Sequence, residues 1–145
     1  MDYQILNLLF RCNKEFSHER IRRHELSDTE CMICSYIYSH ENSSQDDVST
    51  ALKTDKTTVG KALASLERKK CVLRAQDAAD KRIKRLSLTD IGQKKITELL
   101  EIHNNWLRDI MTCLSEEEQK QFEKTCERLL AAAENLTQQN GEIRK

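Results

Sequence analysis

The stretch Asp77-Ala78-Ala79-Asp80-Lys81-Arg82-Ile83-Lys84-Arg85-Leu86-Ser87-Leu88-Thr89-Asp90 places the rest of the chain. Two carboxylates come first, then four basic side chains within five residues. The alternation of Ile83, Arg85 and Ser87 against Lys84, Leu86 and Leu88 predicts a short strand. Thr89 is a suitable N-cap for the long apolar-periodic segment that follows. A cationic loop between two short strands, just after a helical segment, has the form of a winged helix. Taken alone, the same residues also fit a solvated charged hairpin, so the preceding segments decide.

Those segments read as two helices. Ser44 caps a short helix, Gln45 to Leu52, with Asp46 and Asp47 well placed in its first turn. Lys53-Thr54-Asp55 breaks it, and Asp55 or Thr54 caps a second helix from Lys56 to about Lys69, with Val59, Ala62 or Leu63, and Leu66 as its buried stripe. The second helix opens with exposed Lys56, Thr57 and Thr58, then Gly60 and Lys61. A pair of helices this close fits a helix-turn-helix whose second helix can approach a groove, and also an ordinary αα-hairpin. Charge separates these readings. Residues 53–85 hold eleven Lys/Arg against four Asp/Glu, a balance of +7, while the remainder carries −7 and the whole chain is neutral. A compact basic segment on an acidic background is the footprint of a phosphate-facing surface.

Further out, Ile5, Leu6, Leu8, Leu9, Phe10, Phe16 and Ile21 predict an N-terminal helix over residues 2–24. Its apolar face exceeds what one neighbour needs, which points to a second subunit. Ser27-Asp28-Thr29-Glu30 is a capping box opening a helix to about Ser39, and Ser115 with Glu118 forms another. Between them a helix runs from Thr89 toward Leu114, with Ile96, Leu99, Leu100, His103, Trp106, Leu107, Ile110 and Met111 along one face. The last helix carries the stripe Phe122, Cys126, Leu129, Leu130, Ala133 and Leu136, and residues from about Gln138 read as a frayed end.

At 145 residues with no proline and three glycines, the chain reads as one mainly α domain. No apolar run reaches the length of a membrane span, and the first ten residues lack a signal-peptide pattern. A cytoplasmic protein without membrane association is expected. Six cysteines in such a chain are expected to be reduced thiols. No glycine-rich phosphate loop, nucleophile elbow or paired-carboxylate site appears, so no enzyme activity and no cofactor are expected.

In this order the elements resemble the MarR (multiple antibiotic resistance regulator) family. The resemblance rests on Asp55-Lys-Thr-Thr-Val59, Leu66-Glu67-Arg68-Lys69, Asp77-x-x-Asp80-x-Arg82 and Leu86-Ser-Leu-Thr89-Asp-x-Gly92. It implies a winged helix-turn-helix lobe over about 27–88 and dimerisation helices over about 1–24 and 89–137. It implies a homodimer on double-stranded, pseudo-palindromic operator DNA, usually a repressor released by a phenolic ligand, a metal or cysteine oxidation. One departure is Lys70-Cys71, where the family usually has glycine after the recognition helix; a longer or differently ended helix is expected there.

Under that resemblance Arg82 probes the minor groove, with Asp77 and Asp80 orienting it and bracing the turn. Lys81, Lys84, Arg85 and Arg74 are assigned to phosphates, and Thr57, Thr58 and Lys61 to base edges, with Ser44 and Lys56 completing the DNA-binding set. A phenolic or other aromatic effector would be lined by His18, Arg22, Tyr36, Tyr38, His103 and Trp106. Cys31-x-x-Cys34 lies inside a capped helix and reads as a buried structural pair, with no metal site expected. His103 lacks a second histidine one turn on. Cys12, beside Arg11 and Lys14, is the candidate for thiol sensing. The competing functions are a cysteine-based redox regulator of the same fold and a helical protein-interaction module that does not bind DNA.

Overall fold

Side-chain caps fix where most helices of this chain begin. The computed structural model describes residues 3–143, with side chains through residue 138. The order is α1 (Tyr3–Arg23), α2 (Asp28–Ser39), α3 (Gln45–Leu52), α4 (Lys56–Arg68), β1 (Val72–Gln76), β2 (Lys84–Leu88), α5 (Asp90–Met111) and α6 (Glu116–Ile143). Ser27 and Glu30 exchange hydrogen bonds across the first turn of α2, and Ser44 and Asp47 do the same for α3. Ser115 and Glu118 repeat the arrangement at α6. Each reciprocal pair satisfies two amides that the helix itself leaves without acceptors.

The chain divides into two compact units, the first ending at His103 and the second beginning at Asn104. The core of the first unit is one cluster: Ile33, Cys34 and Ile37 of α2, Val48 of α3, Val59, Leu63 and Leu66 of α4, Val72 and Leu86 of the sheet, and Ile96 and Leu99 of α5, with Leu26 and Cys71. The helical period of 59, 63 and 66 turns α4's apolar stripe inward and its opposite face outward. In contrast, α1 buries no residue fully, and neither does α6 among its described side chains.

The strands β1 and β2 form an antiparallel hairpin with Val72 opposite Leu88 and Gln76 opposite Lys84. It is not free-standing. Asn42 N–H donates to Leu86 O, Leu86 N–H donates to Ser43 O, and Ser44 bridges Arg85, so the α2–α3 connection serves as a third strand.

The junction after α4 corrects the expectation for Lys70-Cys71. The helix is not longer. Lys70 adopts a left-handed φ of 57°. Cys71 N–H reaches back to Leu66 O and Lys70 N–H to Glu67 O, the pattern normally closed by glycine. Just beyond, Thr89 caps α5 by accepting from Gly92 N–H, while its own N–H donates to Cys71 O. A Cβ on Gly92 would stand 2.1 Å from that same Cys71 oxygen. Glycine is therefore required where α5 starts against the end of α4, which accounts for the Thr89-Asp90-x-Gly92 spacing.

Smaller differences follow from hydrogen bonding. The return strand begins at Lys84, one residue after Ile83, because Ile83 O accepts from Asp77 N–H as part of the turn. Helix α5 stops at Met111, three residues short of Leu114, and α6 continues past Gln138 to Ile143. Asp2, the expected start of the first helix, and residues 144 and 145 lie outside the described residues.

Candidate nucleic-acid interface

The outward face of α4 begins with an aspartate cap. Asp55 accepts Thr58 N–H at 2.8 Å and the Thr58 hydroxyl at 2.6 Å. These bonds, the side-chain one first, hold the Asp55 carboxyl below its ordinary pKa. Thr58 is thereby occupied in the cap, which leaves Thr57 and Lys61, both exposed and one helical turn apart, as the outward pair. Arg68 is also exposed and continues the same face at i+7 from Lys61, a spacing visible in the sequence but not singled out from it. Lys56 is exposed and pairs with Asp46 of α3 at 3.1 Å. Gly60 does not face outward: a Cβ there would meet Gln45 Nε2 of α3 at 3.2 Å. Ser44 is similarly engaged, its hydroxyl accepting Asp47 N–H in the α3 cap.

The wing is braced from inside its own turn. Asp77 Oδ1 accepts the N–H groups of Ala79 and Asp80 at 2.8 and 3.0 Å, and Asp80 Oδ1 accepts Arg82 N–H at 3.0 Å. The other Asp77 oxygen takes Arg85 Nε at 2.6 Å, and Arg85 Nη1 donates to Asn42 O at 3.3 Å. The guanidinium of Arg85, followed by the two amides, pulls the Asp77 carboxyl down to about 2. Both aspartates accept turn N–H groups, and the side chain that Asp77 holds is Arg85, not Arg82. In the twisted hairpin Asp77 lies opposite Ile83, which makes Arg85 its diagonal neighbour across the ladder.

Two expected phosphate ligands are thus used structurally. Arg85 ties the wing to the α2–α3 connection. Arg74 lies against Glu67 of α4, Nε to Oε2 3.1 Å, close enough for charge pairing though not aligned as a hydrogen bond, and its side chain is only 20 % exposed. By contrast Lys81, Arg82 and Lys84 are exposed and enter no ion pair among the described residues. The wing thus holds three available cations on a hairpin whose own carboxylates are already engaged.

Within the first unit no single depression gathers more than two of the expected effector residues. His103 lines a cavity with Phe16, Ser17, Arg20, Cys31 and Leu100, where Ser17 Oγ meets His103 Nδ1 at 3.2 Å and the Arg20 guanidinium lies 3.3 Å above the Phe16 ring. His18 and Tyr36 line a separate groove between α1 and α2, and His18 pairs with Asp28 at 3.0 Å. Arg22 lies in a third depression, also bordered by His18. Tyr36 stacks on His40 with centroids 4.3 Å apart, Tyr38 is exposed, and Trp106 falls in the second unit. Helical spacing puts His18 and Arg22 on one side of α1, where they border one depression, but it does not show which depressions α2 and α5 complete. Arg20 and Phe16, which the sequence reading passed over as effector ligands, carried only the signal of i and i+4 neighbours.

Burial governs the thiols. Cys34 is buried, and desolvation pushes its pKa up to about 12; Cys31 and Cys71 are raised for the same reason. Such thiols are poor nucleophiles. Cys12, Cys113 and Cys126 are exposed. No helix among the described residues is long and apolar enough to cross a membrane.

Comparison with known proteins agrees with this geometry. A family model described as MarR family matches residues 24–83. The chain is 25 % identical over 129 residues to the HTH-type transcriptional regulator BilQ of Clostridioides difficile strain CD3, covering 86 % of each protein. It is 25 % identical over 126 residues to the transcriptional repressor MprA of Escherichia coli strain K12, covering 86 % of this chain and 72 % of that protein. The structure of the Staphylococcus aureus MepR–DNA complex superposes with a TM-score of 0.76 at 27 % identity, covering 91 % of this chain and 98 % of that one. These relatives are transcription regulators, not enzymes.

Proposed function

We propose that the chain is a DNA-binding transcriptional regulator of the MarR family, which acts as a homodimeric repressor on a pseudo-palindromic operator and is released by a small-molecule effector. The observation that carries the reading is the pairing of two cationic, outward features on one buried core. The first turns of α4 offer Thr57 and Lys61, and the braced hairpin offers Lys81, Arg82 and Lys84. Thr57 and Lys61 read base edges in the major groove; Arg82 enters the minor groove, whose negative potential favours a guanidinium. Lys81 and Lys84 neutralise phosphates, and a cytoplasmic location belongs to the same proposal. Release fits the cavity of Phe16, Arg20 and His103, which suits an aromatic anion: ring against ring, with a guanidinium beside it.

The test is duplex binding measured across salt. Selection from a random duplex pool should yield a two-fold related site, and log Kd should rise steeply with log salt. Arg82→Ala should weaken binding to that site by about 1–3 kcal/mol. Equal binding by the variant would remove Arg82 from the groove.

A further inference from the structure

The turn that ends α1 is held by two lysines that come from two other helices. Helix α1 closes with Glu25 in the left-handed region, φ 60°, and with Leu26 N–H bonded back to Ile21 O. This geometry turns the carbonyls of His24 and Glu25 outward, where a helix end lacks donors of its own and favours cations. Lys95 of α5 donates to His24 O at 2.7 Å and lies 3.3 Å from Glu25 Oε2. Lys69, the residue that closes α4, donates to Glu25 O at 2.7 Å and to Glu30 Oε2 at 2.7 Å.

Glu30 is only 4 % exposed and its Oε2 also accepts Ser27 N–H in the α2 cap, so the start of α2 and the end of α4 meet at one carboxylate. Burial raises its pKa, but the bonds from Lys69, Ser65 and Ser27 together outweigh that and keep it ionised. The attraction between the two charges is offset by the desolvation of Glu30, so the pair adds little net stability. What the ionic pair adds is direction: it fixes one end of α4 to one carbonyl of the α1 turn.

We propose that Lys69 is a positioning residue for DNA recognition, anchoring the end of α4 to the Glu25 turn so that the placement of α1 sets the pose of Thr57 and Lys61. This rests on the reading that α4 faces a duplex. The helix between Lys69 and Thr57 is a rod of about 18 Å, so a small shift at its anchored end moves the exposed end appreciably. Lys95 holds the same turn to α5, which makes the Glu25 turn the junction through which α1 and α5 bear on the recognition helix. Lys69 itself donates inward and supplies no phosphate contact.

The experiment uses the full chain and the duplex that it selects from a random pool, at a temperature where circular dichroism shows each variant folded. Lys69→Met should bind at least about tenfold more weakly than the parent. Its slope of log Kd against log salt should equal the parent's, and Lys69→Arg should recover most of the loss. Lys95→Met leaves the Glu30–Lys69 pair intact and should also weaken binding without changing the slope, so it carries the test should Lys69→Met fail to fold. Folded Lys69 and Lys95 variants that bind as the parent does would reduce both lysines to stability alone. A slope smaller by about 0.9 would make Lys69 a phosphate ligand and overturn the proposal. A parent that binds no duplex in a salt-sensitive way would overturn the functional reading itself, and this proposal with it.

Discussion

Asp77 shows how much of a residue's work depends on where the hairpin puts it. Its carboxylate sits under two turn amides and beside Arg85, which depresses its pKa to about 2. A depressed acid contributes stability above the unfolded carboxyl pKa of about 3.9, and that contribution is lost as pH falls from there toward the folded value. The wing should therefore loosen only in strong acid. Carbon-13 NMR of the Asp77 carboxyl should follow this titration, and Arg85→Ala should return it toward the ordinary range. An unchanged midpoint in that variant would show that Arg85 is not the main cause. The bracing role was legible in the sequence, since Asp at a turn commonly accepts backbone N–H groups. The partner was not, because Arg82 is nearer in sequence while the ladder brings Arg85 nearer in space. Lys70 and Glu25 were illegible for a related reason. Both close helices at positive φ, and in a chain with three glycines that duty falls to residues that give no sign of it.

Among the elements, those with reciprocal caps were the most legible. The pairs Ser27 with Glu30 and Ser115 with Glu118 name both partners in sequence, and α2 and α6 begin where those pairs predict. The start of α5 is set by a contact instead: Gly92 lies on the Cys71 carbonyl, and no pattern of polarity reveals that approach. Gly92→Ala should destabilise the first unit by about 2–4 kcal/mol, because backbone at the α4–β1 junction must move and the Thr89 cap moves with it. Urea denaturation checks this. A midpoint equal to the parent's would mean that the junction yields without loss. The same substitution at Gly60 meets only the end of the Gln45 side chain and is expected to cost far less.

For the whole molecule, neutrality hides two opposed requirements. The basic segment must meet phosphate, and the acidic remainder keeps the overall charge at zero. The remainder also carries apolar area that nothing within its own unit covers: Ile5 is 72 % exposed and Phe10 59 % on α1, and Leu129, Leu130 and Leu136 are each close to 60 % exposed on α6. A long helix without a buried face gains little from packing and is marginal by itself, so a second copy of the chain is the expected cover. Burying one leucine contributes about 1.5–3 kcal/mol, and two-fold symmetry counts each contact twice. Leu130→Glu should therefore shift the proposed dimer toward monomer in sedimentation velocity. Loss of the second recognition helix should then weaken operator binding far more than it weakens binding to a half-site duplex, because the two half-sites are normally engaged together. If the variant still sediments as the parent does, the α6 face is not the interface and its exposed leucines need another partner. If it becomes monomeric yet binds the full operator undiminished, the two-fold reading of the DNA site is wrong while the wing and α4 assignments stand.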